Sequence, residues 1–65
     1  MVWTVHWRID EKPGINIDVA SSRDAALRIA KLKQSIKTVT ITKIQGPNGE
    51  VLTAEQILPL IKALP

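Results

Sequence analysis

A strict alternation of side chains near the start of the chain constrains its fold more than any other feature. Residues 2–9 read VWTVHWRI. The odd-numbered positions of this segment place four apolar side chains on one face: Trp3, Val5, Trp7 and Ile9. An alternation with period two predicts a β-strand that is buried on one face. Because both tryptophans of the chain lie on the apolar face, we expect them in the core and not on a binding surface.

A second alternating segment follows a turn. The five residues after Ile9, DEKPG, end in a Pro-Gly pair that marks a turn, and residues 15–19, INIDV, alternate again. If these five residues form the hairpin loop, Ile9 lies opposite Ile15 and the apolar residues of both strands fall on one face. We therefore predict an antiparallel hairpin in which His6 lies opposite Asp18 on the other face, where the two form a cross-strand ion pair.

The segment SSRDAALRIAKLKQ predicts the first helix, from about Ser22 to about Gln34. Ser21 or Ser22 is expected to cap it, because a serine oxygen accepts a hydrogen bond from the free N–H groups of the first turn. A helical wheel predicts one apolar stripe that faces the core, formed by Ala25, Ile29, Leu32 and Ile36, with Ala26 beside it. Leu27 lies on the far side near Ala30, so either the second helix covers it or it lies on the surface.

A third strand is predicted over residues 37–42, KTVTIT, because this segment is rich in β-branched residues. Its side chains alternate, with valine and isoleucine on the core side and the three threonines on the other side. The sequence GPNG predicts a turn, after which residues 50–52 are expected to return as a short fourth strand beside residues 43–45. Ile44 breaks the alternation of the third strand, so the sequence leaves open whether the fourth strand forms.

The last helix begins with a capping box, in which Thr53 is followed by Gln56 three residues later. Its predicted apolar stripe consists of Ile57, Leu60, Ile61 and Leu64. Pro59 falls on the polar side of this helix, where a kink would bend the helix around the core. The alternative is a helix that ends near Leu58 and then restarts.

Together these elements predict an α+β two-layer sandwich with a small antiparallel sheet and two helices on one face. The crossover from the second strand to the third should be right-handed, and a third strand beside the first gives the strand order 2-1-3. The 65 residues are expected to form a single domain, residues 1–65. The other face of the sheet is expected to be polar and wet, with Thr4, His6, Arg8, Asn16, Asp18, Thr38, Thr40 and Thr42.

The composition argues against most kinds of catalytic or metal site. The chain has no cysteine and one histidine, so thiolate zinc sites, disulfides and His-rich metal sites are excluded, and we predict no cofactor. A Ser-His-Asp triad would have to use His6, and no serine lies in a recognisable nucleophile turn. The GPNG turn is not followed by the lysine of a phosphate-binding P-loop. We therefore predict that the protein is not an enzyme.

Localisation is predicted from what the sequence lacks. No apolar run approaches the ~18 residues of a membrane span. The start has no basic segment followed by an apolar stretch, as a secretory signal would. With no cysteine in the chain, we expect a cytoplasmic protein without a membrane partner.

Positive charge is concentrated in residues 23–43, although the net charge of the chain is only +3. The candidate contacts for an anionic partner are Arg23, Arg28, Lys31, Lys33 and Lys37. The chain has no Phe or Tyr, so a nucleic acid would find no exposed ring on which to stack its bases. Binding through these residues would be weak, salt-sensitive and independent of sequence. A simpler explanation is a solvated helix surface.

The favoured function is a small protein-interaction or assembly module, and nucleic-acid binding is the alternative. A short chain without disulfides or a metal gains stability from a partner subunit. The second strand would be an edge strand, whose unpaired N–H and C=O groups could pair with its own copy in a two-fold homodimer. The surface of the first helix around Leu27 and Ala30 is a second candidate for partner binding.

Overall fold

Four antiparallel strands form a sheet that two helices cover on one face. The computed structural model describes residues 2–64. The elements are β1 (Trp3–Ile9), β2 (Asn16–Ala20), α1 (Arg23–Gln34), β3 (Val39–Gln45), β4 (Val51–Thr53) and α2 (Ala54–Lys62). The strand order is β2-β1-β3-β4. This arrangement confirms the predicted α+β class and the 2-1-3 order. The fourth strand, whose formation the sequence left open, does form, over Val51–Thr53.

The core lies between the sheet and the helices. Its buried members include Val5, Ala26, Leu27, Ala30, Ile41, Ile44, Ile57 and Ile61. The rings of Trp3 and Trp7 pack against this cluster and are half-buried. Both tryptophans therefore lie on the core side of β1, as the alternation predicted, although the helices do not enclose them completely.

A β-bulge in β3 explains how Ile44 reaches the core. The pairing of β1 with β3 shifts between His6 and Trp7, and Thr42 is left without a directly opposite residue. One extra residue reverses the alternation, so Ile44 points to the helix side. Ile44 is fully buried there, opposite Leu52 of β4. The Thr42 hydroxyl donates a hydrogen bond to the His6 carbonyl at 2.9 Å, which ties the bulge to β1.

Helix α1 presents a different side to the core from the one predicted. Its buried residues are Ala26, Leu27 and Ala30. Leu32, by contrast, is 69% exposed, and Ile36 is exposed as well. The predicted stripe was therefore wrong at Leu32 and Ile36, whereas Ala25 and Ile29 do pack against the core and Ala26 beside them is buried. The reason is that α1 packs against both the sheet and α2. Small alanines let the helix approach the sheet closely, and Leu27 joins the core cluster that contains the buried residues of α2.

The side of α1 that faces the core also determines whether one predicted partner surface is exposed. Of the two alternatives for Leu27, burial beneath the second helix is the correct one. Because both Leu27 and Ala30 are buried, the surface predicted around them is not available to a partner.

Helix α2 runs without interruption through Pro59. It carries the predicted capping box, in which the Thr53 hydroxyl accepts from the Gln56 N–H and the Gln56 side chain accepts from the Thr53 N–H. Ile57 and Ile61 are buried, and Leu60 and Leu64 are half-buried, as predicted. Pro59 is exposed, so its ring and its missing N–H lie on the solvent side. The alternative of a helix that ends near Leu58 is therefore wrong.

Candidate interaction surface

The β1–β2 hairpin is paired one residue away from the predicted register. His6 lies opposite Ile17, and Trp7 lies opposite Asn16. The loop between the two strands spans residues 10–15, one residue more than predicted. Because neighbouring residues of a strand point to opposite faces, a shift of one residue exchanges the two faces of β2.

The exchange leaves aliphatic side chains on the open face, which is the sheet face without helices. Ile17 and Val19 in β2 are 54% and 62% exposed, and Ile15, the loop residue directly before the strand, is 55% exposed. We call these three residues the β2 stripe. Val2, just before β1, is exposed as well. The prediction of a polar open face was therefore wrong along its β2 margin, where Asn16 and Asp18 were expected.

Asp18 instead lies on the helix side, where it joins two other side chains. The indole Nε1 of Trp7 donates a hydrogen bond to Asp18 Oδ2 at 3.2 Å. The Lys33 Nζ lies 3.8 Å from the same oxygen and 4.3 Å from the centroid of the Trp7 ring. The N–H of a half-buried tryptophan usually has an acceptor, and Asp18 supplies one here. This cluster fixes β2 against β1 and α1.

The predicted His6–Asp18 ion pair does not form, because the two side chains lie on opposite faces of the sheet. On the open face, His6 lies between Ile17 of β2 and Lys43 of β3. Its Nε2 is 3.0 Å from the Thr4 hydroxyl oxygen. Partial burial, and then the nearby Lys43 ammonium, lower the pKa of His6 below its ordinary value of 6.5. The imidazole is therefore neutral at pH 7.

The basic residues predicted for an anionic partner are dispersed. Those that are exposed are Arg23, Arg28, Lys31 and Lys37. Lys33 instead contacts Asp18 and the Trp7 ring, and Lys31 donates a hydrogen bond to the Leu64 carbonyl at 3.3 Å. Lys43 belongs to the same stretch of sequence but lies on the open face of the sheet. The charge of residues 23–43 is thus divided between two sides of the molecule.

An apolar recess of about 150 Å³ lies on the helix side of β3, beside both helices. Its lining residues are Gln34, Thr40, Ile41, Ala54, Ile57 and Leu58. None of them is titratable, so the recess offers no group for general acid–base chemistry. Its volume also falls below the ~300 Å³ at which small-molecule sites typically begin. We therefore regard the open face along β2 as the stronger candidate site.

The β2 stripe was missed because the two hairpin registers differ only in the length of an irregular loop. The predicted register placed every aliphatic residue of β2 in the core, which is the usual choice. The signal that favours the observed register is the indole of Trp7, whose N–H requires an acceptor. Asp18 can supply that acceptor only if it points to the same side of the sheet as Trp7.

Comparison with known proteins gives no further information on this surface, since no family model, no curated protein and no solved structure matches the chain. Within residues 2–64, no three His, Cys, Asp or Glu side chains are grouped so that they could hold a metal ion. Neither helix in that range is long and apolar enough to cross a membrane.

Proposed function

We propose that the protein is a small, non-enzymatic interaction module that assembles with itself through β2, in the cytoplasm. The observation that carries this proposal is the β2 stripe, three exposed aliphatic residues along the margin of the sheet. Clustered aliphatic side chains on a surface are typical of protein interfaces. A strand at a sheet margin also offers backbone N–H and C=O groups to another strand.

The two margins of the sheet differ in how well they are protected against pairing. Natural edge strands are kept apart by lysine, proline, bulges or very short length. The β4 margin has three residues. β2 has five residues, contains neither lysine nor proline, and pairs with β1 in a regular register. Its one inward-pointing charge, Asp18, already accepts a hydrogen bond from Trp7 and lies near Lys33. β2 is therefore the margin better suited to a second strand.

The expected affinity is modest. Covering the exposed half of an aliphatic side chain contributes roughly 1 kcal/mol, so the β2 stripe supplies a few kcal/mol for each copy. Association also costs several kcal/mol of lost translational and rotational freedom. We therefore expect a dissociation constant on the order of 10–1000 µM, which corresponds to about 4–7 kcal/mol.

Sedimentation equilibrium over about 10–1000 µM tests this proposal, because that range brackets the expected dissociation constant. The unmodified protein should shift from monomer to dimer as its concentration rises. Ile17→Lys should remain monomeric, since it places a charge in the middle of the β2 stripe. Leu32→Lys is the matched control, because Leu32 is equally aliphatic and 69% exposed but lies on α1. This control should dimerise normally. A strictly monomeric unmodified protein at every concentration would refute the proposal.

The alternative function is weak, sequence-independent nucleic-acid binding through the basic segment 23–43. Its support is the exposure of Arg23, Arg28 and Lys37. Against it, both tryptophans pack on the core and no other aromatic residue is present to stack on bases. Binding to generic RNA and DNA should be measured at low and moderate salt. Clear binding at low salt that falls steeply as the salt concentration rises would favour this alternative over self-association.

A further inference from the structure

We infer that two copies pair their β2 strands antiparallel in one register, which is centred on Ile17. This inference rests on the self-association proposed above. In this register Ile17 lies opposite Ile17 of the second copy, Ile15 lies opposite Val19, and Asn16 lies opposite Asp18. Two stripes would then form one continuous aliphatic band across the two-fold axis, with directly opposed β-branched residues, which favour strand pairing.

Symmetry limits the registers that need to be considered. A two-fold axis that relates two antiparallel edge strands runs perpendicular to the sheet, so the open faces of both copies point to the same side. Residues that lie directly opposite each other share a face of the sheet. Residues of the β2 stripe can therefore lie opposite only one another or other residues of the same face. Every register centred on a residue satisfies this condition, and those that pair at least two residues of the β2 stripe with each other are centred on Asn16, Ile17 or Asp18.

The registers on either side of Ile17 are each disfavoured. A register centred on Asn16 brings Gly14 opposite Asp18 and Pro13 opposite Val19. Gly14 has a φ of 101° and is not extended, and proline has no N–H to donate. A register centred on Asp18 places two carboxylates directly opposite each other, and like charges at that position are destabilising. The register centred on Ile17 avoids both problems and pairs all positions from 15 to 19.

Asp18 gives the Ile17-centred register a further advantage. Its side chain is still 37% exposed, although its Oδ2 already accepts from Trp7 and lies near Lys33. An Asn16 amide of the second copy, directly opposite, can donate a hydrogen bond to this carboxylate. A charge that points inward normally protects an edge strand from pairing. Here the Asp18 carboxylate is compatible with the register centred on Ile17, which places an Asn16 amide opposite it. The same carboxylate disfavours the register centred on Asp18, which places a second carboxylate opposite it.

Cysteine cross-linking tests the register directly, because the chain has no cysteine of its own. Directly opposed residues have Cα atoms about 4.5–5.5 Å apart, within the range of a disulfide. Under mild oxidation, Ile17→Cys should therefore give a covalent dimer. Ile15→Cys and Val19→Cys should each cross-link poorly alone, since like positions are four residues apart along the strand, about 13 Å. A mixture of these two variants should cross-link efficiently with each other.

Leu32→Cys is the control for the cross-linking experiment, because two copies of this variant form a disulfide only through random collisions. If Ile17→Cys cross-links no faster than Leu32→Cys while sedimentation still detects a dimer, the register is wrong but self-association stands. If sedimentation detects no dimer, the proposed function itself fails. Efficient self-cross-linking of Ile15→Cys or Val19→Cys would also overturn the register.

A second variant tests the same register without cysteine. Asn16→Asp places a carboxylate opposite Asp18 twice in each dimer, and it should weaken association by about tenfold. Asn16 is exposed, so the substitution leaves the core intact, which circular dichroism can verify. Unchanged association of Asn16→Asp would contradict the pairing of Asn16 with Asp18.

Discussion

The absence of a side chain at Gly46 leaves room for the ring of Trp3, which packs against the core. A Cβ atom at Gly46 would lie 2.9 Å from two ring carbons of Trp3 and 3.1 Å from the Glu50 Cβ. Contacts this short force the indole or the turn to move. The turn itself is closed by a hydrogen bond from the Gly46 N–H to the Glu50 carbonyl, 2.7 Å long.

We therefore expect Gly46→Ala to lower the free energy of unfolding by about 1–3 kcal/mol, the usual cost of overpacking. Urea denaturation followed by tryptophan fluorescence measures the loss. The substitution should cost much less in a Trp3→Leu background, because the smaller side chain leaves room for the new methyl group. Equal costs in the two backgrounds would indicate that the ring is not the obstacle.

The lowered pKa of His6 predicts that the stability of the protein depends on pH. Its pKa is lowered in the folded protein by partial burial and by Lys43, so the unfolded chain takes up the proton first. The contribution of the neutral imidazole to the free energy of unfolding is complete above pH 6.5, the ordinary pKa of histidine. This contribution is lost as the pH falls through the lowered pKa of His6 in the folded protein. The free energy of unfolding should therefore decline as the pH falls below about 6.5, where most carboxyl groups are still ionised.

His6→Gln should flatten this part of the pH profile, measured by urea denaturation at low protein concentration so that dimer formation does not contribute. A variant whose profile declines as steeply as that of the unmodified protein would exclude His6 as the cause. In that case another group would have to bind the proton on unfolding.

At the level of single elements, helix α1 depends on one of two adjacent serines. The Ser22 hydroxyl oxygen accepts a hydrogen bond from the Ala25 N–H at 3.1 Å. Ser22→Ala should lower the free energy of unfolding by about 1 kcal/mol, as loss of a helix cap usually does. Ser21→Ala is the matched control, with an expected change within about 0.5 kcal/mol. Thermal or urea denaturation would distinguish the two, and equal effects would contradict the assignment of the cap.

Local sequence signals predicted the elements well, because each signal acts within a few residues. The capping box at Thr53 and the turn at GPNG involve only neighbouring groups, and both elements lie where they were expected. The side of α1 that is buried and the register of β2 were not predicted correctly. Both depend on distant partners: α1 packs on α2, and Asp18 meets Trp7 and Lys33 only in the folded chain.

The candidate site was predicted at the level of the strand but not of its residues. The order of the elements was sufficient to place β2 at a sheet margin, as observed. The aliphatic residues of that strand were assigned to the core, and a one-residue shift brought them to the surface instead. The two residues predicted for a surface ion pair, His6 and Asp18, were separated by the same shift.

For the molecule as a whole, self-association should be measurable as stability. A partner that binds only the folded state raises the melting temperature as concentration rises. We expect the melting temperature of the unmodified protein to increase by a few degrees between about 10 µM and 1 mM, because a domain of this size shifts by about 4–8 °C per kcal/mol. Calorimetry should find no such increase for Ile17→Lys, and the same increase for Leu32→Lys. A concentration-independent melting temperature in all three proteins would contradict dimer formation.

The bulge at Thr42 also determines how this chain tolerates changes in length. Deletion of this one residue would leave the composition, the helix caps and the turns untouched. It would restore simple alternation in β3 without changing the faces, because Ile41, Lys43 and Ile44 would then follow one another as core, open-face and core positions. Substitutions at Thr42 remove only one hydroxyl contact, and a deletion there removes the bulge but still leaves Ile44 opposite Val5 on the helix side. Both the residue at position 42 and the position itself can therefore change without moving Ile44 out of the core.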